Sequence, residues 1–184
     1  MVQILENSVL VVIDVQKAWL DPRLGNRNNP GAEAVISKLI TGFRKKGRKI
    51  IHVRHDSLDP ESIFKEGKPT FEFKEEVKPA KGELVITKHV NSAFIGTNLE
   101  STLRQLGDPQ VFYVGLVTDH CVSTTVRMSG NLGFRSYVIE DACATFDRKD
   151  SSGNIIPAYE VHKVNLASIN EEFAEVVTSR DLII

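Results

Sequence analysis

The sequence predicts an α/β fold in which a parallel sheet is covered by helices on both faces. Three observations predict it. Short apolar runs alternate with helical patterns along the chain. Those runs are rich in Val and Ile and almost free of charge, the composition of strands buried on both faces. The length of 184 residues, with 41% apolar and 26% charged residues, suits one domain, 1–184, with a full hydrophobic core.

SVLVVID (8–14) reads as the first strand, uncharged until its final residue. Asn29-Pro30 looks like a helix cap followed by proline at the first helical position. Val35, Ile36, Leu39, Ile40 and Phe43 then give one apolar helical face, closed by Gly47. KIIHVRH (49–55) and ELVITK (83–88) are the second and third strands. Thr97-Asn98-Leu99-Glu100 has the form of a capping box, followed by Leu99, Leu103 and Leu106 on one face and Gly107 as the stop. QVFYVGL (110–116) is the fourth strand, and 121–132 the helix after it, weakened by Val122, Thr124, Thr125 and Val126. RSYVIED (135–141) is the fifth strand, 158–172 a helix, and EVVT (175–178) a short last strand.

Two regions interrupt the alternation. Residues 56–82 carry Pro60, Pro69 and Pro79 together with Phe64, Phe71 and Phe73. A structureless loop of that length is rare in a compact domain, so it reads as a folded excursion whose aromatics pack on the body, a lid or a partner subunit. Residues 142–157 form a second loop, rich in Asp, Ser and Gly.

Composition excludes several classes. The formal net charge is −1, and the basic run of Arg44, Lys45, Lys46, Arg48 and Lys49 reads as the solvated end of a helix, so no nucleic-acid partner is expected. The apolar stretch 9–13 is too short for a signal peptide and runs into Asp14. No segment is long enough to span a membrane. Two cysteines, Cys121 and Cys143, make a poor disulfide framework and fit a cytoplasmic setting; Cys143 reads as a structural thiol.

In open parallel sheets, sites form beyond the carboxyl ends of strands where the strand order reverses. If the order is 3-2-1-4-5-6, strands one and four are neighbours there. Asp14 ends strand one, Lys88 ends strand three, and Cys121 opens the helix after strand four. All three would then share one crevice. A helix N-terminus and a lysine ammonium both stabilise a thiolate, and a carboxylate can take the thiol proton and return it to a leaving group. Backbone N–H groups near Val117 and Cys121 could hold an oxyanion. Such parts suit acyl transfer to cysteine. Each residue also has a plainer reading: a small buried cysteine, a turn aspartate, a solvated lysine. The neighbours Asp119 and His120 are tempting partners for Cys121, but adjacent side chains on a tight turn diverge. Asp119 reads as a helix cap and His120 as a residue of the pocket mouth.

VVIDVQ (11–16), ITKHVNSAFIGTNL (86–99) and GLVTDHCVSTTVR (115–127) resemble the three motifs of the isochorismatase-like cysteine hydrolases. DACAT (141–145) resembles that family's loop after strand five. The family includes nicotinamidases, N-carbamoylsarcosine amidases, ureidoacrylate hydrolases and isochorismatases. The resemblance implies a Rossmann-like six-stranded parallel sheet in the order 3-2-1-4-5-6, in three layers, and a homodimer or homotetramer. It implies Asp14 as general acid/base, Lys88 as charged partner and Cys121 as nucleophile. It also implies a cis peptide at Leu116–Val117 that aims the Val117 N–H at the substrate.

The sequence departs from nicotinamidases at HVRHDSLDP (52–60), where an Asp-x-His pair and a later His commonly bind zinc. Here no histidine lies between His55 and His89, and His55 with Asp56 would leave a metal under-coordinated. No metal and no cofactor are therefore expected. The expectation is a metal-independent cysteine hydrolase acting on a small amide or ureido C–N bond. Gln16, Trp19, His55, Phe94, His120 and Phe146 are the expected pocket walls, with His89, Asn91 and Ser92 positioning Lys88. The alternatives are isochorismatase or nicotinamidase chemistry, or a non-catalytic binding or redox module on the same fold.

Overall fold

The structure, a computed structural model, describes residues 1–183. Six strands form the central sheet: β1 (Val9–Ile13), β2 (Lys49–His55), β3 (Leu84–Lys88), β4 (Val111–Leu116), β5 (Ser136–Ala144) and β6 (Glu175–Val177). All pairings are parallel, and the spatial order is 3-2-1-4-5-6. The helices are α1 (Ala32–Lys45), α2 (Leu99–Gln105), α3 (Ser123–Asn131) and α4 (Ala158–Ile169). Every residue of β1 and β4 is buried, which explains why their sequences are continuous apolar runs.

The two faces of the sheet follow from the two-residue strand period. Leu10 and Val12 of β1 and Phe112 and Val114 of β4 pack with Ile36, Leu39, Ile40 and Phe43 of α1. Val9, Val11 and Ile13 point the other way, into a core shared with Leu99 and Leu103 of α2, Val126 of α3 and Leu166 of α4. Register then lines up the strand ends: Ile13 lies opposite both Val53 and Gly115, and His55 lies opposite Lys88. The chain segments that leave β1, β3 and β4 therefore emerge at one edge, where the order reverses. Gly115 has φ 135°, and a Cβ there would sit 2.0 Å from the Ile13 carbonyl oxygen, so only glycine fits.

Local signals differ from the sequence reading in four places. The expected Asn29-Pro30 cap is absent: α1 starts at Ala32 after Gly31. Asn29 instead takes a left-handed φ of 42° and donates its amide N–H groups to the carbonyls of Cys143 at 2.8 Å and Glu140 at 3.3 Å, and the helix receives no side-chain cap. The capping box at 97–100 does not form. Thr97 Oγ1 does accept from Leu99 N–H at 3.2 Å, but Asn98 is the cap and makes no side-chain bond. The helix expected over 121–132 begins at Ser123, because Thr118–Val122 forms one wider π turn ahead of it. Finally, the fifth strand runs on to Ala144 past an irregularity in its pairing with β4, and 148–149 pairs with 155–156 as a small hairpin.

The excursion over 56–82 packs on the body. Phe64 meets Trp19 and His55 edge-on, Phe71 is buried under the Arg54 guanidinium, and Phe73 lies against His52. Its backbone is stitched to the β1 exit, with Lys17 N–H donating to Glu72 O and Lys74 N–H donating to Val15 O. No described helix is long and apolar enough to cross a membrane.

Candidate active site

Asp14 leaves β1 with a left-handed backbone, φ 51°, a conformation Asp tolerates better than most side chains. Three bonds pin it: its N–H donates to Val53 O at 2.9 Å, and its carbonyl accepts from Trp19 Nε1 at 2.6 Å and from Gln16 N–H at 2.8 Å. The side chain is fully buried. Lys88 ends β3 and is fully buried too, which a lysine tolerates only when paired. Its partner is Asp14, with Nζ 2.6 Å from Oδ2. Cys121 sits on the π turn after β4, 7% exposed, with Sγ 3.3 Å from Lys88 Nζ. Residues 33 and 107 positions before it in the chain thus meet the sulfur at one point because strand ends meet there.

Lys88 Nζ is surrounded by four groups: Asp14, Cys121 Sγ, Val90 O at 3.2 Å and His55 Nδ1 at 3.3 Å. An ammonium has three protons. The directed hydrogen bonds go to Val90 O, His55 Nδ1 and Cys121 Sγ. The Asp14 contact is one of charge, and neither Asp14 oxygen receives a well-aligned hydrogen bond among the described residues. Sγ accepts from Lys88, and the thiol's own proton has Asn91 Oδ1 at 3.9 Å as a weak acceptor.

The charges agree with this assignment. Burial and the Asp14 carboxylate push the Cys121 thiol up from its ordinary value, and Lys88 pulls it down without prevailing. Burial and Asp14 thus oppose a resting thiolate, and Lys88 does not offset them, which agrees with a thiol whose proton is handed to a carboxylate. Burial opposes the Lys88 charge, but Asp14 and Cys121 outweigh it and hold the ammonium above its usual range.

The other expected site residues divide. His55 touches Lys88, and its ring is crossed edge-on by Phe64. Trp19 stacks on Phe146 at 5.8 Å and meets Phe64 at 4.7 Å, so three aromatics surround the segment that follows Asp14. Gln16 is not a free wall residue. It is fully buried, and its amide is spent on backbone, donating to His55 O and Phe71 O and accepting from His55 N–H. Phe94 is half-buried, stacks on Phe134 just after α3 and packs against the core. The His120 side chain is exposed, 3.4 Å from Asp119. His89 bonds the Asp56 carbonyl, and Ser92 accepts from Phe94 N–H, so neither reaches Lys88; the backbone of Val90 does. Asn91 Oδ1 lies 3.9 Å from Cys121 Sγ.

The structure adds residues the sequence reading missed. Asp119 is no helix cap: it binds the Arg148 guanidinium at 2.7 Å and the Thr145 hydroxyl, because the π turn swings it toward β5. Thr118, at the start of the same turn, bonds buried His162 of α4 at 2.8 Å. The turn carrying Cys121 is thus held on two sides by residues far along the chain. A charged residue in a polar loop was the sole sequence signal for Arg148, and His162 had none. The Leu116–Val117 peptide is cis, and Val117 O accepts from the N–H groups of His120 and Val122, which closes the turn. Among the described residues no cluster of three or more His, Cys, Asp or Glu side chains is placed to hold a metal ion. Asp56 is engaged instead by Lys65 and the Glu66 N–H.

Parallel three-layer architecture with a thiol, an ammonium and a carboxylate at the sheet's reversal point defines a hydrolase of the α/β class. The chain belongs to the isochorismatase family: the model of the isochorismatase domain matches residues 8–181. It is 46% identical over 178 residues to the uncharacterized isochorismatase family protein YrdC of Bacillus subtilis, covering 97% of this chain and 95% of that protein. The crystal structure of an isochorismatase-family protein from Chromobacterium violaceum superposes with a TM-score of 0.94 at 44% identity, covering 96% of this chain and 92% of the other. N-carbamoylsarcosine amidase from Thermoplasma acidophilum has a similar structure, with a TM-score of 0.74 at 26% identity over 94% of this chain and 96% of the other.

Proposed function

We propose that this hydrolase cleaves a C–N bond of a small amide or ureido compound through an acyl-thioester on Cys121, without a metal. The observation that carries the reading is Lys88 Nζ held within 3.3 Å of Cys121 Sγ and 2.6 Å of Asp14 Oδ2. A neutral thiol beside a buried carboxylate is primed for proton transfer at the moment of attack. Asp14 takes the thiol proton as Sγ bonds the carbonyl carbon. Lys88 stays charged and offsets the negative charge that moves between carboxylate, sulfur and substrate. The N–H groups of Val117 and Cys121 stabilise the tetrahedral oxyanion. Asp14 then returns the proton to the departing nitrogen, and the amine or ammonia leaves. Asp14 next removes a proton from water, which attacks the thioester and frees the acid and the thiol.

Similarity to an N-carbamoylsarcosine amidase supports the C–N reading. The metal-free reading is supported by the engagement of His55 with Lys88 and of Asp56 with Lys65. Incubation with an amide panel and intact-mass analysis tests the proposal. The expected result is ammonia or amine release with a transient acyl adduct on Cys121, both lost in Cys121→Ala. Full turnover in Cys121→Ala, or turnover abolished by a chelator and restored by zinc, overturns it.

A further inference from the structure

The hydrogen-bond count at Lys88 fixes more than the sulfur. His55 and Lys88 are register partners on adjacent strands, so their side chains rise from the same face of the sheet. Lys88 Nζ can only donate, and it lies 3.3 Å from His55 Nδ1, so Nδ1 must be the acceptor nitrogen. The proton of a neutral imidazole is then on Nε2. No described residue accepts from Nε2. The ring is half-buried, with Phe64 edge-on at 5.8 Å, and its backbone is clamped by Gln16 at both N–H and carbonyl. The charged and titratable groups facing it are Lys88, Asp14, His89 and Asp56; burial and then Lys88 keep the imidazole below its ordinary value, hence neutral at physiological pH.

Building on the amide-hydrolase reading, we infer that His55 is the specificity-determining donor of the site, an imidazole locked by Lys88 as its Nε2–H tautomer and presented to an uncharged acceptor on the substrate. The substrate class is therefore a small amide that carries a second acceptor, such as a carbonyl, ether oxygen or ring nitrogen, near the scissile carbonyl. A cationic group there meets an N–H donor next to an ammonium and is rejected. A carboxylate there finds no unengaged cation: Lys88 is matched by Asp14, Lys65 by Asp56 and Arg148 by Asp119. Burying it unmatched is costly. The aromatic group of Trp19, Phe64 and Phe146 beside this donor suits a planar or apolar remainder.

The test has two arms. In the first, histidine-labelled protein is observed by 15N NMR at neutral pH. The expected spectrum shows a pyridine-type Nδ1 and a pyrrole-type Nε2 for His55, averaging toward both tautomers in Lys88→Met. A pyrrole-type Nδ1 in the unmodified protein overturns the inference. In the second, methoxyacetamide and butyramide, nearly isosteric with and without an ether acceptor, are titrated into Cys121→Ala. Methoxyacetamide is expected to move the His55 Nε2–H resonance, and butyramide to leave it in place; equal shifts, or none with either, overturn the inference. Where the wild type turns the two over, its kcat/KM preference for methoxyacetamide should fall about tenfold in His55→Phe and recover in His55→Gln, which keeps an N–H. The NMR arms need no turnover, so failure of the hydrolase reading leaves them decisive on their own.

Discussion

The Arg148 guanidinium reaches Asp119 across 29 residues of chain, with Nε 2.7 Å from Oδ2 and Nη2 3.2 Å from Oδ1. This pair ties the small hairpin after β5 to the turn that carries Cys121. The Asp119 side chain is 8% exposed, and burial works against its charge; Arg148, Thr145 and His120 together hold its carboxyl below the usual range. Arg148→Met leaves that carboxylate unmatched. The expected cost is about 3 kcal/mol of stability by urea denaturation, together with a kcat loss on the order of tenfold to a hundredfold as the turn that carries Cys121 loosens. A variant with wild-type urea midpoint and kcat would show that the pair holds nothing in place.

Lys88→Met should remove turnover almost entirely and destabilise the fold by about 3–5 kcal/mol, since it strands a fully buried Asp14 carboxylate. Adding Asp14→Asn removes the stranded charge. The double variant is therefore expected to regain most of the stability and none of the activity. Two independent losses that simply add would contradict direct coupling of the pair.

The Asp14 carboxylate raises the Cys121 thiol, and in the proposed mechanism it also receives the thiol proton. Asp14→Asn should therefore have opposite effects on two measurements. Turnover is lost, while alkylation of Cys121 by iodoacetamide sets in at lower pH than in the wild type, because one of the forces opposing the thiolate is gone. An alkylation profile shifted to higher pH would refute the assignment.

Acid stability should track two buried histidines. Burial lowers His162 from 6.5 to about 4 against a weaker opposing pull from Asp119, and burial lowers His52 against its bond to Glu83. Between these values and the unfolded value, the unfolded chain binds protons that the native chain does not. Their contribution is complete above about pH 6.5 and is lost as pH falls below it, for His162 down to about 4 and on the order of 3 kcal/mol. The carboxylates of Glu33 and Glu83, held near about 2 chiefly against burial by Arg27 and Lys74 in the first case and by Arg44 in the second, act at lower pH. Urea midpoints measured from pH 7 to 4.5 should decline in the wild type and decline less in His162→Gln.

Gly115→Ala should cost more than about 4 kcal/mol or abolish soluble expression, because the added methyl meets the Ile13 carbonyl at 2.0 Å in a backbone conformation that L residues rarely adopt. Gly82→Ala has open space around it despite its positive φ and should cost far less. Thermal denaturation of the two variants compares them directly.

Strands, their parallel pairing and the three principal residues were legible in the sequence because each rests on a local signal. Central strands buried on both faces must be apolar runs, and the residue that ends such a run must lie at a sheet edge. Asp14 was found that way; Lys88 was found as the end of a half-buried edge strand, and Cys121 by its place after the fourth strand and by the motif around it. The caps failed for the same local reason: Asn29 has the chemistry of a cap, and only the nearness of the β5 carbonyls decides that its amide goes there. Tertiary structure alone decided that Gln16 is spent on His55 backbone, that Phe94 packs on Phe134, and that Arg148 and His162 bond the turn that carries Cys121. It also decided the protonation pattern. A thiol, an ammonium and a carboxylate are three ordinary side chains until burial removes water from between them, and their order of charge then follows from distances that no spacing in the chain encodes.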